Sequence, residues 1–282
     1  MKKLGAGALI VLVLLVGIFW PKGAGVPQKV HVPVLLFHHV AEEAGNAMTV
    51  TKNQLERVVS ALKGAGFEAV DTADLIDYVE NGASLPEKPV MITFDDGYES
   101  NITLAAPILE KYGMKATVFI IGVSAGKSVY KDSDAPIIPH FTWAQALEND
   151  IFTVESHSFD MHQVKELDGE NCRYGVLKKD GESDDEYRRA FNADLARSMA
   201  EIEGNLGKKV TAFAYPYGAH SEESERLLKE LGIKATFSII DGISVIERGN
   251  RESLYLINRI FVYEDTSPEG LVARLGEPAP EE

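Results

Sequence analysis

Cysteine is almost absent from this chain of 282 residues: Cys172 stands alone. One thiol cannot close an internal disulfide or build a thiolate metal site. Basic residues are also in short supply, 28 Lys and Arg against 43 Asp and Glu, for a formal charge of −15. That balance argues against a nucleic-acid partner and against docking on anionic lipid through a basic patch, and it suits a neutral or cationic substrate. Histidine runs out early: three of the seven, His31, His38 and His39, sit near the start, and none follows His220. Apolar residues are plentiful enough for a full core, in one large or two ordinary domains.

What is present begins with a basic tip, Met1-Lys2-Lys3, and an uncharged run over residues 4–20. Its length lies between a signal-peptide core and a membrane span. No small-x-small cleavage site follows closely, and no cysteine is there for lipidation. An uncleaved anchor is therefore expected, with a cleaved signal as the alternative. Lysines on the amino side leave the remainder outside the cytoplasm. The expected division is an anchor or signal segment at 1–20, a linker at 21–30, a catalytic domain at 31–275 and an acidic tail at 276–282.

Beyond the linker a strand-then-helix rhythm sets in. Strands are expected at 33–37, 67–70, 90–94, 116–121, 151–154, 210–214, 235–240 and 257–262. Helices are expected at 53–66, 72–80, 102–112, 142–148, 184–206 and 222–231. Residues 109–121 (LEKYGMKATVFII) are echoed at 228–240 (LKELGIKATFSII), one αβ unit used twice with a glycine stop in each. Repeated βα units predict parallel strands with helices outside, and about eight of them favour a (β/α) barrel over an open sheet. Residues 163–187 break the rhythm and read as a surface insertion holding Cys172, a free thiol.

The chemistry gathers at strand ends. The run Val90-Met91-Ile92-Thr93-Phe94 stops at Asp95-Asp96-Gly97. Alternate residues of an extended chain face opposite sides, so a bend, expected at Gly97, must bring both carboxylates to one cavity. Taken alone, Asp-Gly reads equally as a hairpin turn. His157 and His162 follow the fifth strand, Tyr215-Pro216-Tyr217-Gly218 the sixth, and His38-His39 the first. In a barrel, catalytic groups come from the carboxyl ends of several strands, and a carboxylate with two imidazoles is a usual set for a divalent metal.

Thr93-Phe94-Asp95-Asp96-Gly97, His157-Ser158…His162 and Phe213-Ala214-Tyr215-Pro216-Tyr217-Gly218 resemble the first three motifs of the polysaccharide deacetylases, carbohydrate esterase family 4. The likeness spans residues 31–262, and the spacing is similar to that of secreted poly-N-acetylglucosamine deacetylases. It implies a distorted (β/α) barrel and removal of acetyl groups from N-acetylglucosamine polymers of the poly-N-acetylglucosamine, peptidoglycan or chitin type. It implies that Asp96, His157 and His162 hold a divalent metal, zinc first, with cobalt or nickel also suited. Asp95 would be the general base for a water at that metal. The Tyr217 backbone N–H would stabilise the oxyanion, and Pro216 would fix the turn that aims it and border the substrate.

Four intervening residues separate the two histidines here, where the family usually has three. Ala214 stands where the third motif usually has the arginine that orients the base; Arg259 is the candidate replacement, placed with the substrate-binding residues. The family's Leu-x-His motif, whose histidine protonates the leaving amine, is missing, and His38 is the expected acid. Tyr98, Trp143, Phe159 and Tyr217 are candidate sugar-stacking rings, with core packing the more ordinary role; His39 has no role, and His140 and His220 read as loop residues. Competing readings are a non-catalytic carbohydrate-binding relic, which has no need of both aspartates, and an O-acetyl xylan esterase.

Overall fold

The computed structural model describes residues 28–276. The expected anchor or signal segment, nearly all of the linker, and the acidic tail after residue 276 lie outside the described residues. Among the described residues no helix is long and apolar enough to cross a membrane.

In chain order the structure opens with β1 (Lys29–Val32), β2 (Val34–Phe37), β3 (His39–Ala41), β4 (Thr49–Thr51) and α1 (Lys52–Gly64). It continues through β5 (Glu68–Val70), α2 (Thr72–Glu80) and β6 (Pro89–Asp96) to a π-helical turn at Asn101–Ala105 and α3 (Ala106–Lys111). Then come β7 (Ala116–Ile120), α4 (Trp143–Leu147), β8 (Phe152–Ser156), the short α5 (Lys165–Asp168) and the long α6 (Asp184–Leu206). The last part holds β9 (Ala212–Ala214), α7 (Glu222–Glu230), β10 (Ala235–Phe237), β11 (Ser244–Glu247), β12 (Ile260–Phe261) and α8 (Pro268–Gly276).

All eight expected strands join one parallel sheet, in the order β10-β9-β8-β7-β6-β2-β12 with β5 pairing β6 off that path. The two ends of the path meet. Ile257 bridges Phe237 in parallel, Ile257 N–H donates to Thr236 O at 2.8 Å, and Arg259 N–H donates to Ile240 O at 3.0 Å. The result is a distorted barrel of seven staves.

Period-two alternation sorts the side chains of β6. Ile92 and Phe94 pack outward in one cluster with Leu55, Val59 and Leu62 of α1. Met91 packs inward in a second cluster with Phe119 and Phe237, which Leu75, Ile76 and Val79 of α2 also join. Thr93 and Asp95, in the same alternation as Met91, belong to the inner face. The αβ echo is reproduced bond for bond. Gly113 and Gly232 both take positive φ, and Met114 N–H to Leu109 O (2.9 Å) matches Ile233 N–H to Leu228 O (3.0 Å), the Schellman closure.

Several expectations are corrected. Lys29 and Val30, assigned to the linker, belong to β1, which pairs antiparallel with β11. The β3–β4 pair and α8 had no counterpart in the reading of the sequence. The helix expected from residue 102 starts as a π-turn, in which buried Asn101 donates from Nδ2 to the His38 carbonyl at 2.8 Å. The insertion is pinned from within: Arg173 is buried and donates to Glu182 from both terminal nitrogens.

Inside the barrel Glu155 accepts hydrogen bonds from Thr211 N–H (2.8 Å), Ala212 N–H (2.9 Å), Thr211 Oγ1 (2.9 Å) and Thr72 Oγ1 (3.1 Å). Burial nonetheless outweighs these bonds and pushes its pKa up to about 7 from 4.5. A carboxyl whose folded pKa is raised contributes stability that is present below pH 4.5 and lost as pH rises through 7, by about 3 kcal/mol for such a shift. Glu155→Gln should therefore flatten the decline in stability between pH 4.5 and 7.5, measured by urea unfolding at stepped pH.

Candidate metal centre and catalytic site

The bend after β6 falls one residue earlier than expected. Asp96 itself adopts φ 73° and Gly97 follows at φ 85°. A Cβ at Gly97 would sit 2.7 Å from Ile120 Cγ1, so only glycine fits against β7 there. Both carboxylates are buried as a result, Asp95 on the strand and Asp96 on the turn.

Asp96 meets the two histidines of the β8 loop. Its Oδ1 lies 3.7 Å from His157 Nε2 and 3.5 Å from His162 Nε2, and the ligand atoms of all three residues fall within 4.8 Å of one another. Two ligands each 2.0–2.1 Å from a tetrahedral ion stand roughly 3.4 Å apart, so the spacing suits a shared cation. Asp96 Oδ1 is buried and has no hydrogen-bond partner among the described residues, a lone oxygen of the kind a cation satisfies. The imidazoles are set for the same task. His157 Nδ1–H donates to the Ala214 carbonyl at 2.8 Å. The Tyr217 hydroxyl donates to Gln163 O at 2.9 Å and accepts from His162 Nδ1–H at 3.0 Å. Each histidine is thereby held in the tautomer that leaves Nε2 bare, the outer-shell arrangement of metal-binding imidazoles. Burial lowers the His157 pKa to about 4, which keeps its ring neutral. Burial works to raise the Asp96 carboxyl; any proton held on the rings of His162, His38 or His157, and the hydrogen bond from the Tyr98 hydroxyl, act the other way and take it below the usual range.

Asp95 has a different partner. Arg259 Nη1 and Nη2 donate to its two oxygens at 2.7 Å each, while Arg259 Nε donates to Ser238 O at 2.8 Å. Burial would raise the Asp95 pKa; the Arg259 guanidinium, by its charge and its hydrogen bonds, holds it below the ordinary value, so Asp95 is ionised. Arg259 is 0% exposed, with all three guanidinium nitrogens engaged by Asp95 and the Ser238 carbonyl. Pro216 is buried in the turn, with its carbonyl facing Gly175. Tyr217 follows it at φ 58°, and the turn is closed by Gly218 N–H to Tyr215 O (2.8 Å) and Ala219 N–H to Pro216 O (3.0 Å).

His38 follows β2, whose Phe37 pairs in register with Phe94, so it comes next to Asp95 in the sheet order. Its ring is parallel to Phe261 at 6.0 Å, and burial lowers its pKa against the pull of Asp96 and Asp95. His39 turns to Thr49 and Tyr98, and His220 to the Gly218 carbonyl. Phe159 is buried beneath Arg197, so it is not a sugar platform.

Two contributors, Asp194 and Tyr174, went unread in the sequence, and a third, His140, was expected only as a loop residue. Asp194, on α6, accepts the N–H groups of Phe159 (2.8 Å) and Asp160 (2.7 Å), gripping the extra length of the loop between the histidines. Tyr174, 63% exposed on the insertion, stacks on Tyr217 at 5.2 Å. His140 is buried against Tyr98 at the cavity wall. None carries a local motif that would have announced it.

A model of the family described as polysaccharide deacetylase matches residues 82–236. The chain belongs to the polysaccharide deacetylase family. Among curated relatives, a poly-beta-1,6-N-acetyl-D-glucosamine N-deacetylase of Staphylococcus aureus is 27% identical over 217 residues, 77% of this chain and 69% of that protein. One of Escherichia coli is 25% identical over 249 residues, 82% of this chain and 36% of that larger protein. Two solved structures share the deacetylase fold. A de-N-acetylase from Aggregatibacter actinomycetemcomitans has TM-score 0.72 at 24% identity, covering 84% of this chain and 97% of that one. IcaB from Ammonifex degensii has TM-score 0.68 at 22% identity, covering 88% and 100%.

Two outcomes follow from this deacetylase's geometry. Arg259→Met strands a buried carboxylate and should cost about 3–5 kcal/mol in denaturant unfolding, with much of the loss recovered in the Asp95→Asn double variant. Asp194→Ala releases the histidine loop and should weaken metal binding about 10- to 100-fold in competition against a chromophoric chelator.

Proposed function

We propose that the chain is a metal-dependent amide hydrolase that removes N-acetyl groups from an extracellular N-acetylglucosamine polymer, of the poly-β-1,6-linked type. The observation that carries this reading is the division of labour between adjacent carboxylates. Asp96 joins two Nε2 atoms in a cation-sized cluster, while Asp95 is held apart and ionised by Arg259. A sugar-binding relic has no use for that separation. The names of the Staphylococcus aureus and Escherichia coli relatives support the choice of polymer.

Asp96, His157 and His162 would hold a divalent cation, zinc by the donor set and cobalt or nickel by the same one, which would supply Lewis-acid polarisation of the acetamide carbonyl and water activation. Asp95 takes a proton from the attacking water; with Arg259 on both oxygens it still has lone pairs to accept one. The water oxygen forms a bond to the carbonyl carbon, and the Tyr217 N–H donates to the developing oxyanion. His38 gives a proton to the nitrogen as the C–N bond breaks, releasing acetate and a free amine. The uncharged run after Lys2-Lys3 supports attachment to the cell membrane with the catalytic domain outside.

Acetate release from a β-1,6-linked N-acetylglucosamine oligomer tests the reading, with metal content measured alongside. Wild type should lose activity on chelation and regain it with Zn2+. Asp95→Asn should keep its metal and lose at least about 10²-fold in kcat, and His38→Ala should lose about 10²-fold. Equal loss of metal in Asp95→Asn, full activity in His38→Ala, or a preference for acetylxylan would each defeat the corresponding assignment.

A further inference from the structure

Residues 163–187, which interrupt the strand-then-helix rhythm, carry one side chain that nothing in the mechanism uses. Tyr174 is 63% exposed, the highest value among the large apolar and aromatic side chains of the described residues. Its neighbours Arg173, Gly175 and Val176 are buried. Arg173 N–H donates to Gln163 Oε1 at 2.6 Å, and its guanidinium donates to the Leu177 carbonyl and to Glu182. The Tyr187 hydroxyl donates to Val176 O at 2.8 Å. Gly175, at φ 56°, lies so close to the turn after β9 that a Cβ there would stand 2.6 Å from Pro216 O and 2.8 Å from Ala219 Cβ. The segment is therefore docked on the turn that carries Tyr217, and Tyr174 is presented from a fixed backbone.

The ring leads back to the candidate metal centre. It stacks on Tyr217 with centroids 5.2 Å apart and planes 12° from parallel, and the Tyr217 ring lies 4.3 Å from that of His162. Tyr217 covers one face of Tyr174, so an exposure this large leaves the opposite face open. The same segment supplies Leu167, 47% exposed, to the lining of a cavity of about 360 Å³ that Asp96 and His162 also line. That volume is near the low end for small-ligand sites, about 300–1,000 Å³, so a polymer seated there must continue over the rim. A single exposed apolar residue is ordinary. Here two lie on one pinned segment beside one site, and the more exposed of them extends a stack that starts at a candidate metal ligand. An open tyrosine face offers wide, stiff apolar area at little entropy cost to a ligand.

We propose that Tyr174 is a substrate-binding residue whose open face stacks on a pyranose ring of the polymer, next along from the sugar held at the metal centre. The inference rests on the proposed function and adds to it a contact that favours polymers over isolated sugars. The ring substituents of a β-linked N-acetylglucosamine unit are equatorial, so the pyranose faces present C–H groups. Such a face covers an aromatic ring while the hydroxyls stay in water. The contact uses the ring and not the phenol hydroxyl.

The test compares wild type, Tyr174→Ala and Tyr174→Phe, all metal-loaded, using a fully acetylated β-1,6-linked N-acetylglucosamine pentamer. Kd is read by titration calorimetry, KM and kcat from acetate release, metal affinity by chelator competition, and Tm without sugar. Tyr174→Ala should raise Kd and KM roughly 3- to 10-fold, the worth of one aromatic contact, with kcat changed much less. Its Tm should move by no more than a few degrees, because the side chain buries little, and its metal affinity should stay within about twofold of wild type. Tyr174→Phe, which keeps the ring, should stay within about twofold of wild type in Kd. An unchanged Kd in Tyr174→Ala overturns the proposal. Metal binding weakened about tenfold or more in that variant would make Tyr174 a brace for Tyr217 and His162, and overturns it too. A loss in Tyr174→Phe equal to that in Tyr174→Ala would trace the contact to the hydroxyl and reject stacking. A wild type that fails to bind the pentamer also defeats the proposal. If wild type binds the pentamer but releases no acetate, the hydrolase reading fails, while the Kd ratio still decides the role of Tyr174.

Discussion

The buried pair between Asp95 and Arg259 is the contact on which the site depends. Two charges removed from water need near-ideal geometry to offset their desolvation, and replacing such a pair by apolar residues is often neutral or better for stability. Here the geometry is near ideal, two parallel bonds of 2.7 Å with Arg259 Nε tied to the Ser238 carbonyl. The pair joins β6, which carries the proposed base, to the chain entering β12, so the barrel's closure places the charge that holds Asp95 ionised. A looser barrel would leave a carboxylate in apolar surroundings, and it would take up a proton and cease to be a base.

The same economy governs the candidate cation ligands. Their Nε2 atoms are free because a carbonyl at the end of β9 and the hydroxyl of Tyr217 occupy the Nδ1 positions. Tyr217 thus serves twice: its backbone sits in the turn after β9, and its side chain orients a histidine from the β8 loop. On the outer side, Asp194 holds the middle of that loop to α6, assisted by the contact between Ser156 and Ser198 hydroxyls at 2.8 Å.

How much of this could be read in the sequence depended on range. The eight sheet strands and the six expected helices were legible, since alternation, helical periodicity and glycine stops are local signals. The Asp-Asp-Gly bend and the two histidines were legible as a motif, though the bend itself begins at Asp96. The β1–β11 pairing was not, because its partners stand at opposite ends of the domain and each strand is only four residues long. Arg259 could be named as a replacement arginine, but its burial under Asp95, 164 residues away in sequence, could not. Asp194 reads as an ordinary polar residue of a long helix, and His140 as part of a loop. Their significance comes from what the fold sets opposite them.

Five non-glycine residues among those described adopt positive φ. Asp96, Ser158 and Tyr217 carry or flank the centre, and Lys131 lines the cavity beside it. Such conformations cost of order 1–3 kcal/mol each and persist only where their surroundings impose them. The ordering of the site is therefore completed during folding and not on ligand arrival. For inhibitor chemistry this favours small rigid metal-directed groups such as hydroxamates over long flexible substrate mimics, because the receptor contributes almost no reorganisation cost of its own.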